Sequence, residues 1–271
     1  MMASVKTYIF ENSIIRDKIM ISKIVANRAN WAWPYSIVLL VFVVMPLVMI
    51  VYYSFLDTEG QWSLHNFHKF FLSTDSVNTL IYSIGIAMIT TILCILLGYP
   101  AAYFMAKTEY RLPKVMASLF ILPMWINVLL RTLATVALFD FAHLPLGEGA
   151  LVFGMVYNFL PFMVYPIYNT MLKMDGSLIE AAQDLGASPR KVFTEVFLPL
   201  TMPGVYSGIV MVFMPTISTF ALAELLTMNN VKLFGTLIQE NINAGLLGYG
   251  AALSLIVLIL IGLTSFFDSE E

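Results

Sequence analysis

Two charged residues stand inside or directly beside long apolar stretches, and they are the first candidates for chemistry. Arg131 interrupts the apolar run 115–139, and Glu224 directly follows the uncharged run 196–223. A charge within a bilayer is costly, so it usually pairs with another charge or lines a transport pathway. We expect Arg131 to pair with Glu224 or Asp140, or to act as a gate. Glu224 either binds a cation on such a pathway or lies in water at the membrane edge.

Four uncharged residues extend this candidate set. Trp125 and Asn127 lie in the same run as Arg131 and offer a ring face and an amide oxygen. Tyr157 and Asn158 offer the same two groups in the next apolar run. Aromatic faces attract cations, and so do oxygen acceptors. Ordinary helix packing is the alternative role for each of the four.

The composition places these residues in a membrane protein. Hydrophobic residues make up 59% of the 271 residues and charged residues 11%, whereas about a quarter of a soluble domain is charged. A helix needs about 20 apolar residues to cross the hydrocarbon core, and helices satisfy their own backbone hydrogen bonds there. We therefore predict an all-α integral membrane protein with six transmembrane helices, within 29–56, 76–106, 115–139, 149–172, 196–223 and 241–267.

The distribution of basic residues predicts the orientation. With the N-terminus in the cytoplasm, eleven of the 14 Lys and Arg residues fall in cytoplasmic segments, as the positive-inside rule requires. The acidic tail 268–271 disagrees, but acidic residues weigh little in this rule. We predict a multi-pass membrane protein with both termini cytoplasmic. Residues 1–30 form a cytosolic or interfacial segment, and 31–271 form one transmembrane domain.

The cytoplasmic loop at about 175–199 is the most specific feature of the chain. Ser177 and Glu180 have the spacing of a capping box, which predicts a short helix from Leu178. Gly186 is placed to end that helix in the left-handed conformation. Ser188 and Pro189 predict the start of a second short helix. Leu178, Ala182 and Leu185 share a face of the first helix, and Pro199 and Pro203 interrupt the second.

Enzymatic chemistry finds no support in the sequence. Cys94 is the single cysteine, and the three histidines are scattered, so we expect no catalytic residues and no metal site. The predicted spans contain no group of residues that could act together as nucleophile, base and acid. The phosphate-binding pattern G-x-x-x-x-G-K-[ST] is absent from the sequence, so we expect no bound cofactor and any ATP to be bound by a partner.

The loop resembles the EAA motif of ABC importer permeases. The resemblance rests on Glu180-Ala181-Ala182, on Gly186 four residues later, and on Leu198-Pro199. It implies a type I ABC importer permease fold in which the loop is a cytosolic coupling helix. The resemblance further implies that 31–271 are a permease domain in a bacterial plasma (inner) membrane. It also implies that Glu180, Ala181, Ala182, Gly186 and Pro199 contact an ATPase homodimer. A second homologous permease subunit (PotC-like), an extracellular substrate-binding protein (PotD-like) and the lipid bilayer are the other implied partners, with no nucleic acid.

Further segments resemble permeases of the spermidine/putrescine (PotB) type. They are residues 97–101, 122–127, 158–168 and 199–204, and the resemblance extends over about 35–265. It implies a translocation pathway for polyamines, in which Glu224, Trp125, Asn127, Arg131, Tyr157 and Asn158 are the candidate residues. The connection 140–148 is shorter than expected for that family, which puts the docking of the binding protein in doubt.

Two alternatives stay open. The first is an ABC importer permease for another small solute, which would carry the same loop. The second is a secondary transporter driven by an ion gradient. It would explain six spans and intramembrane charges but not the doubly capped loop, and no inverted repeat supports it.

Overall fold

The computed structural model describes residues 33–57, 59–106, 120 and 122–268, with side chains up to 262. The chain divides into two units, Met1–Tyr53 and Ser54–Glu271. In the first unit, the described residues form the helix α1 (Trp33–Ser54), which ends at the first residue of the second unit. The helix contains a π-helical turn at Leu40–Val44. The predicted segment 1–30 lies outside the described residues.

The regular secondary structure in the described part of the second unit is helical, apart from an isolated antiparallel β-bridge between Leu56 and Trp62. The helices are α2 (His65–Leu72), α3 (Thr74–Ala106), α4 (Val128–Phe141), α5 (Glu148–Lys173), α6 (Ser177–Asp184), α7 (Pro189–Ser218), α8 (Ala221–Thr227), α9 (Phe234–Asn243) and α10 (Leu247–Asp268). A 3₁₀ turn at Leu122–Trp125 precedes α4.

Helices α3, α5 and α7 form the centre of this unit, because small residues allow close approach. A Cβ atom on Gly208 of α7 would lie 2.6 Å from Sδ of Met163 on α5. A Cβ atom on Gly204 would lie 3.0 Å from the Cα atom of Ile167. In lipid, helices associate through such close packing rather than through the hydrophobic effect.

The short helices tie one end of the bundle together, and α6 lies at the other end. Asn66 of α2 donates to the carbonyls of Ser54 and Leu56 at 3.1 and 2.7 Å. The hydroxyl of Ser83 on α3 accepts the backbone N–H of Phe234 at 2.8 Å. We call this the α8 end, and the opposite one the α6 end.

The predicted spans agree with the helices in most places. Four helices in the described part are long and apolar enough to cross a membrane, namely α1, α3, α5 and α7, and the apolar part of α10 extends from Leu247 to Gly262. The run 196–223 is not one helix, because the chain breaks after Ser218 before α8 begins. Similarly, the described part of 115–139 breaks at residues 126 and 127, before α4. Residues 107–119 and 121 lie outside the described chain.

Candidate functional site

Helix α6 begins at Ser177, one residue earlier than predicted. The predicted capping box is wrong: Gly176 is the N-cap residue, and the backbone N–H of Glu180 donates to the Gly176 carbonyl at 3.2 Å and not to the Ser177 side chain. The backbone N–H of Ser177 instead donates to Oδ1 of Asp175 at 3.0 Å. This hydrogen bond, with a further one from the Ser177 hydroxyl, lowers the pKa of the exposed Asp175 carboxyl. An Asx turn at Asp175 therefore initiates the helix.

Helix α6 ends at Asp184, and Gly186 takes the left-handed position just beyond this end, as predicted. Gly186 has φ of +79°, and its N–H donates to the carbonyl of Gln183 at 2.9 Å. The N–H of Ala187 donates to the carbonyl of Ala182 at 3.1 Å. These two bonds form a Schellman motif, in which glycine takes the left-handed position without steric cost.

The two sides of α6 have different surroundings. Ile179 and Gln183 line a groove of about 440 Å³ against the bundle, together with Met171, Val192 and Phe197. Leu178 and Leu185 are 48% and 88% exposed. Two apolar side chains of the predicted shared face therefore lie on the surface of the chain. Of the predicted coupling residues, Glu180, Ala181, Gly186 and Pro199 are also exposed, and Ala182 is half-buried.

The segment after α6 is not a second short helix. Ser188 is extended and Pro189 opens the helix as predicted, but the helix continues for 30 residues to Ser218. Pro199 and Pro203 do not end it, which corrects the prediction. Membrane helices tolerate proline, since neighbouring helices and local π turns accommodate the freed backbone groups, and a π turn at Val192–Phe197 directly precedes Pro199.

Aromatic contacts fix the first turns of α7 against α3. The ring of Phe197 lies edge-on to Tyr103, with centroids 5.4 Å apart, and stacks on Phe193 at 5.9 Å. The hydroxyls of Tyr99 and Thr201 are hydrogen-bonded at 2.9 Å. The α6 end of α7 is thus held to the bundle core by side chains that follow directly on the loop.

Arg131 and Asn158 meet inside the bundle. Arg131 is 6% exposed and Asn158 is fully buried. Nη1 of Arg131 donates to the backbone carbonyl of Asn158 at 3.4 Å, longer than the usual 2.9–3.0 Å. Among the described residues, Arg131 Nε and Asn158 Oδ1 have no hydrogen-bond partner, while Asn158 Nδ2 donates to the carbonyl of Gly154 at 2.8 Å.

Glu224 lies on the short helix α8, which packs against both α4 and α5. Leu226 anchors this helix, because its carbonyl accepts the N–H of Gly147 at 3.0 Å and its side chain fills the space beside Gly154. Glu224 is half-buried. Among the described residues, an ion pair joins Lys232 to Glu240. Arg131 forms no ion pair with Glu224 or Asp140 in this arrangement and reaches the Asn158 carbonyl instead.

The remaining candidates are spread over the surface. Trp125 is 85% exposed and Tyr157 is 43% exposed. Oδ1 of Asn127 accepts the N–H of Leu129 at 2.8 Å, so this side chain is the N-cap of α4. The Arg131 side chain is joined to Asn158 across two helices, and the backbone N–H of Arg131 donates to the carbonyl of Asn127 at 3.2 Å.

Sequence reasoning missed one polar pair at the α8 end. The hydroxyl of Tyr82 on α3 donates to Oε1 of Glu148, the first residue of α5, at 2.9 Å. Glu148 directly precedes an apolar run, just as Glu224 directly follows one. This shared position at a run boundary was the available signal.

The bundle resembles the membrane chains of solved ABC transporters. A chain of a bacterial alginate ABC transporter, in complex with an alginate pentasaccharide-bound periplasmic protein, matches with a TM-score of 0.71 and 13% identity. The match covers 89% of this chain and 91% of that one. A chain of the inward-facing MetNI methionine ABC transporter matches with a TM-score of 0.58 and 16% identity, covering 71% and 92%. The fold is thus that of an ABC transporter permease.

Sequence similarity defines the family more narrowly. Residues 95–269 match the family of binding-protein-dependent transport system inner membrane components. The spermidine/putrescine transport system permease protein PotB of Escherichia coli (strain K12) is 33% identical over 249 residues, covering 83% of this chain and 90% of that protein. PotB of Haemophilus influenzae is 32% identical over 255 residues, covering 84% and 88%. The chain belongs to this family of permeases and is a multi-pass inner membrane protein.

Proposed function

We propose that the chain is the permease subunit of an ATP-driven importer and forms part of the translocation pathway for polyamines such as spermidine and putrescine. The observation that carries the substrate class is the similarity to PotB over more than four-fifths of the chain. The subunit is non-catalytic. Its partners are an ABC ATPase homodimer, a second PotC-like permease and a PotD-like binding protein outside the membrane.

Helix α6 is the coupling helix that docks on the ATPase. Its exposed Leu178 and Leu185 offer an apolar contact surface, and its Schellman motif at Gly186 fixes the direction in which the chain leaves it. Pro189 then starts a helix of 30 residues, about 45 Å long at 1.5 Å per residue. A displacement of α6 by ATP-driven closure is thereby transmitted to α7.

The proposed topology has six spans with both termini in the cytoplasm. α1, α3, α5 and α7 supply four spans, α10 a fifth, and the segment that includes α4 the remaining one. The α6 end of the bundle then faces the cytoplasm, which agrees with the excess of Lys and Arg there. The α8 end faces the binding protein.

The pathway for a polycation uses carboxylates, carbonyl oxygens and ring faces. Glu224 supplies the carboxylate within the bundle, and Glu148 with Tyr82 supplies a second carboxylate and a ring at the α8 end. Trp125 and Tyr157 offer exposed rings.

Uptake assays with the reconstituted importer test this proposal. The chain is co-expressed with an ABC ATPase, a PotC-like permease and a PotD-like binding protein, and the purified complex is placed in proteoliposomes. We expect ATP-dependent uptake of radiolabelled spermidine that excess putrescine reduces and a neutral or anionic solute does not. Uptake of another solute alone would reject the polyamine assignment, and purification without a bound ATPase would reject the importer assignment.

Variants of Glu224 refine the test. Glu224→Gln keeps the volume and removes the charge, so we expect weaker spermidine uptake with normal assembly. Asp140→Asn removes a carboxylate from an exposed position on α4 and is the matched control, with uptake close to that of the parent. Equal uptake by the Glu224 variant and the parent would remove Glu224 from the pathway.

A further inference from the structure

Arg131 and Glu224 carry opposite charges on neighbouring helices, but neither forms an ion pair with a described residue. Arg131 is buried on α4 and is held by a single long hydrogen bond to a backbone carbonyl. Glu224 is half-buried on α8, and none of the described residues forms an ion pair with it. A buried charge without a partner costs several kcal/mol. A bundle that keeps both charges therefore uses them in another arrangement.

Both residues lie on short helices bounded by breaks. α4 follows the extended residue Asn127, whose ψ is 133°. α8 follows Thr219, whose ψ is 142°, and ends at Met228 in the left-handed region. Asn229 is also left-handed, with φ of 62°. Backbone breaks of this kind are where hinge motion is absorbed, so a rearrangement of α4 against α8 would be absorbed at these positions.

We propose that Arg131 is the protein's own counter-cation for Glu224: it pairs with this carboxylate when the pathway is empty, and an ammonium group of the substrate replaces it there. This inference rests on the proposed role of Glu224 in the pathway. In the present arrangement Arg131 reaches the Asn158 carbonyl and forms no ion pair with Glu224, as the second of these two states, the released state, requires.

The site next to Asn158 fits a temporary position for the guanidinium. It provides one acceptor at 3.4 Å and leaves Arg131 Nε and Asn158 Oδ1 unsatisfied. The released state is thus poorly stabilised, and Arg131 returns to Glu224 when the substrate leaves. Competition by a tethered cation weakens substrate binding, because substrate must displace it first. It also favours a ligand with a strong positive charge over a neutral one.

The test is a double-mutant cycle on the permease–ATPase complex in nanodiscs without the binding protein, so that binding reports on the membrane site. Equilibrium dialysis measures the dissociation constant of radiolabelled spermidine. We expect Arg131→Gln to tighten binding about tenfold, equivalent to about 1.4 kcal/mol, and Glu224→Gln to weaken it. In the Glu224→Gln background, Arg131→Gln should change the dissociation constant less than about twofold, because Arg131 then has no carboxylate for which to compete with spermidine.

Controls separate pairing from general disruption. Arg131→Lys keeps the cation and should bind spermidine within about threefold of the parent, on the scale of a few tenths of a kcal/mol per factor of two. In an Asp140→Asn background, Arg131→Gln should still tighten binding about tenfold. Independent effects of the substitutions at 131 and 224, or coupling of 131 to 140 instead, would overturn the inference.

A second readout does not depend on the substrate. The melting temperature of the substrate-free complex is measured for the same cycle. We expect the decrease in the double variant to be smaller than the sum of the decreases in the two single variants. If spermidine fails to bind even the parent, the polyamine assignment fails while this coupling still decides the pairing. Strict additivity of the melting shifts would refute the pairing whatever the substrate is.

Discussion

Replacement of Gly186 by alanine tests whether the turn after α6 carries the coupling function. Gly186 has φ of +79° and has no atom within 4 Å of the position of a new Cβ, so the penalty is conformational and not a clash. The left-handed conformation costs a residue with a Cβ about 1–2 kcal/mol. One to two kcal/mol is a factor of about 5–30 in an equilibrium. Opening of the Schellman turn should increase by that factor.

Gly176 provides the matched control at the other end of α6. It also has no atom within 4 Å of a new Cβ, but its φ and ψ of −60° and −25° are helical. Alanine adopts these angles without strain, so Gly176→Ala should be neutral or stabilising by up to about 1 kcal/mol. The two substitutions are chemically identical and should act in opposite directions.

Hydrogen exchange and ATP hydrolysis measure the two consequences. The amides of residue 186 and Ala187 donate to the two carbonyls of the motif, and their exchange should accelerate about fivefold or more in Gly186→Ala but not in Gly176→Ala. Substrate-dependent ATP hydrolysis by the assembled importer should fall only in Gly186→Ala. Equal hydrolysis by both variants, with faster exchange in the first alone, would refute the argument that this turn transmits the motion.

Two further predictions concern local stability. The N–H of Ser177 stabilises the ionised form of Asp175 and lowers its pKa, so this contribution is complete above the ordinary value of about 3.9 and is lost as pH falls through the lowered pKa. The protection factor of the Ser177 amide, which is corrected for the intrinsic pH dependence of exchange, should fall over that range, and Asp175→Asn, which keeps the acceptor, should abolish the change. Gly235→Ala places a Cβ against the carbonyl of Ser218, so overpacking should destabilise the fold by about 1–3 kcal/mol and lower the melting temperature. Gly85→Ala, with open space around it, should leave the melting temperature unchanged or raise it.

The spans were predictable because a bilayer imposes a length on uncharged runs. The runs 76–106 and 149–172 agree with α3 and α5 within two residues. The breaks at 126–127 and 219–220 were not predicted, since no charged residue marks either position, although Asn127 and Thr219 are polar. Polarity patterns report contact with lipid, whereas a break within an apolar run is decided by packing against neighbouring helices.

The loop shows where local signals compete. Gly186 follows the end of α6 as expected, because glycine adopts the left-handed conformation without steric cost. The prediction of where α6 starts was wrong because Asp175 and Ser177 are both good acceptors for a first-turn N–H. The sequence does not show which of the two acceptors is used. Pro199 was treated as a helix breaker, a rule that holds in water and weakens in a membrane.

Arg131 illustrates what spacing alone leaves undetermined. The sequence offered Glu224 and Asp140 as partners, and the structure supplies a backbone carbonyl on α5 instead. A carbonyl is present at every residue, so no pattern of residue types marks it. Contacts of this kind depend on how helices rotate in the bundle, which is fixed by many weak packing terms together.

The position of α7 relates the two candidate sites physically. Its first residue, Pro189, lines the groove against α6, and its last residue, Ser218, is separated from α8 by two residues. A helix is stiff along its axis, so displacement at one terminus is felt at the other. α8 is pinned at Leu226 by the N–H of Gly147 on the opposite side. A displacement of Ser218 against this fixed point would tilt α8 and change the position of Glu224, which lies between the two, relative to α4.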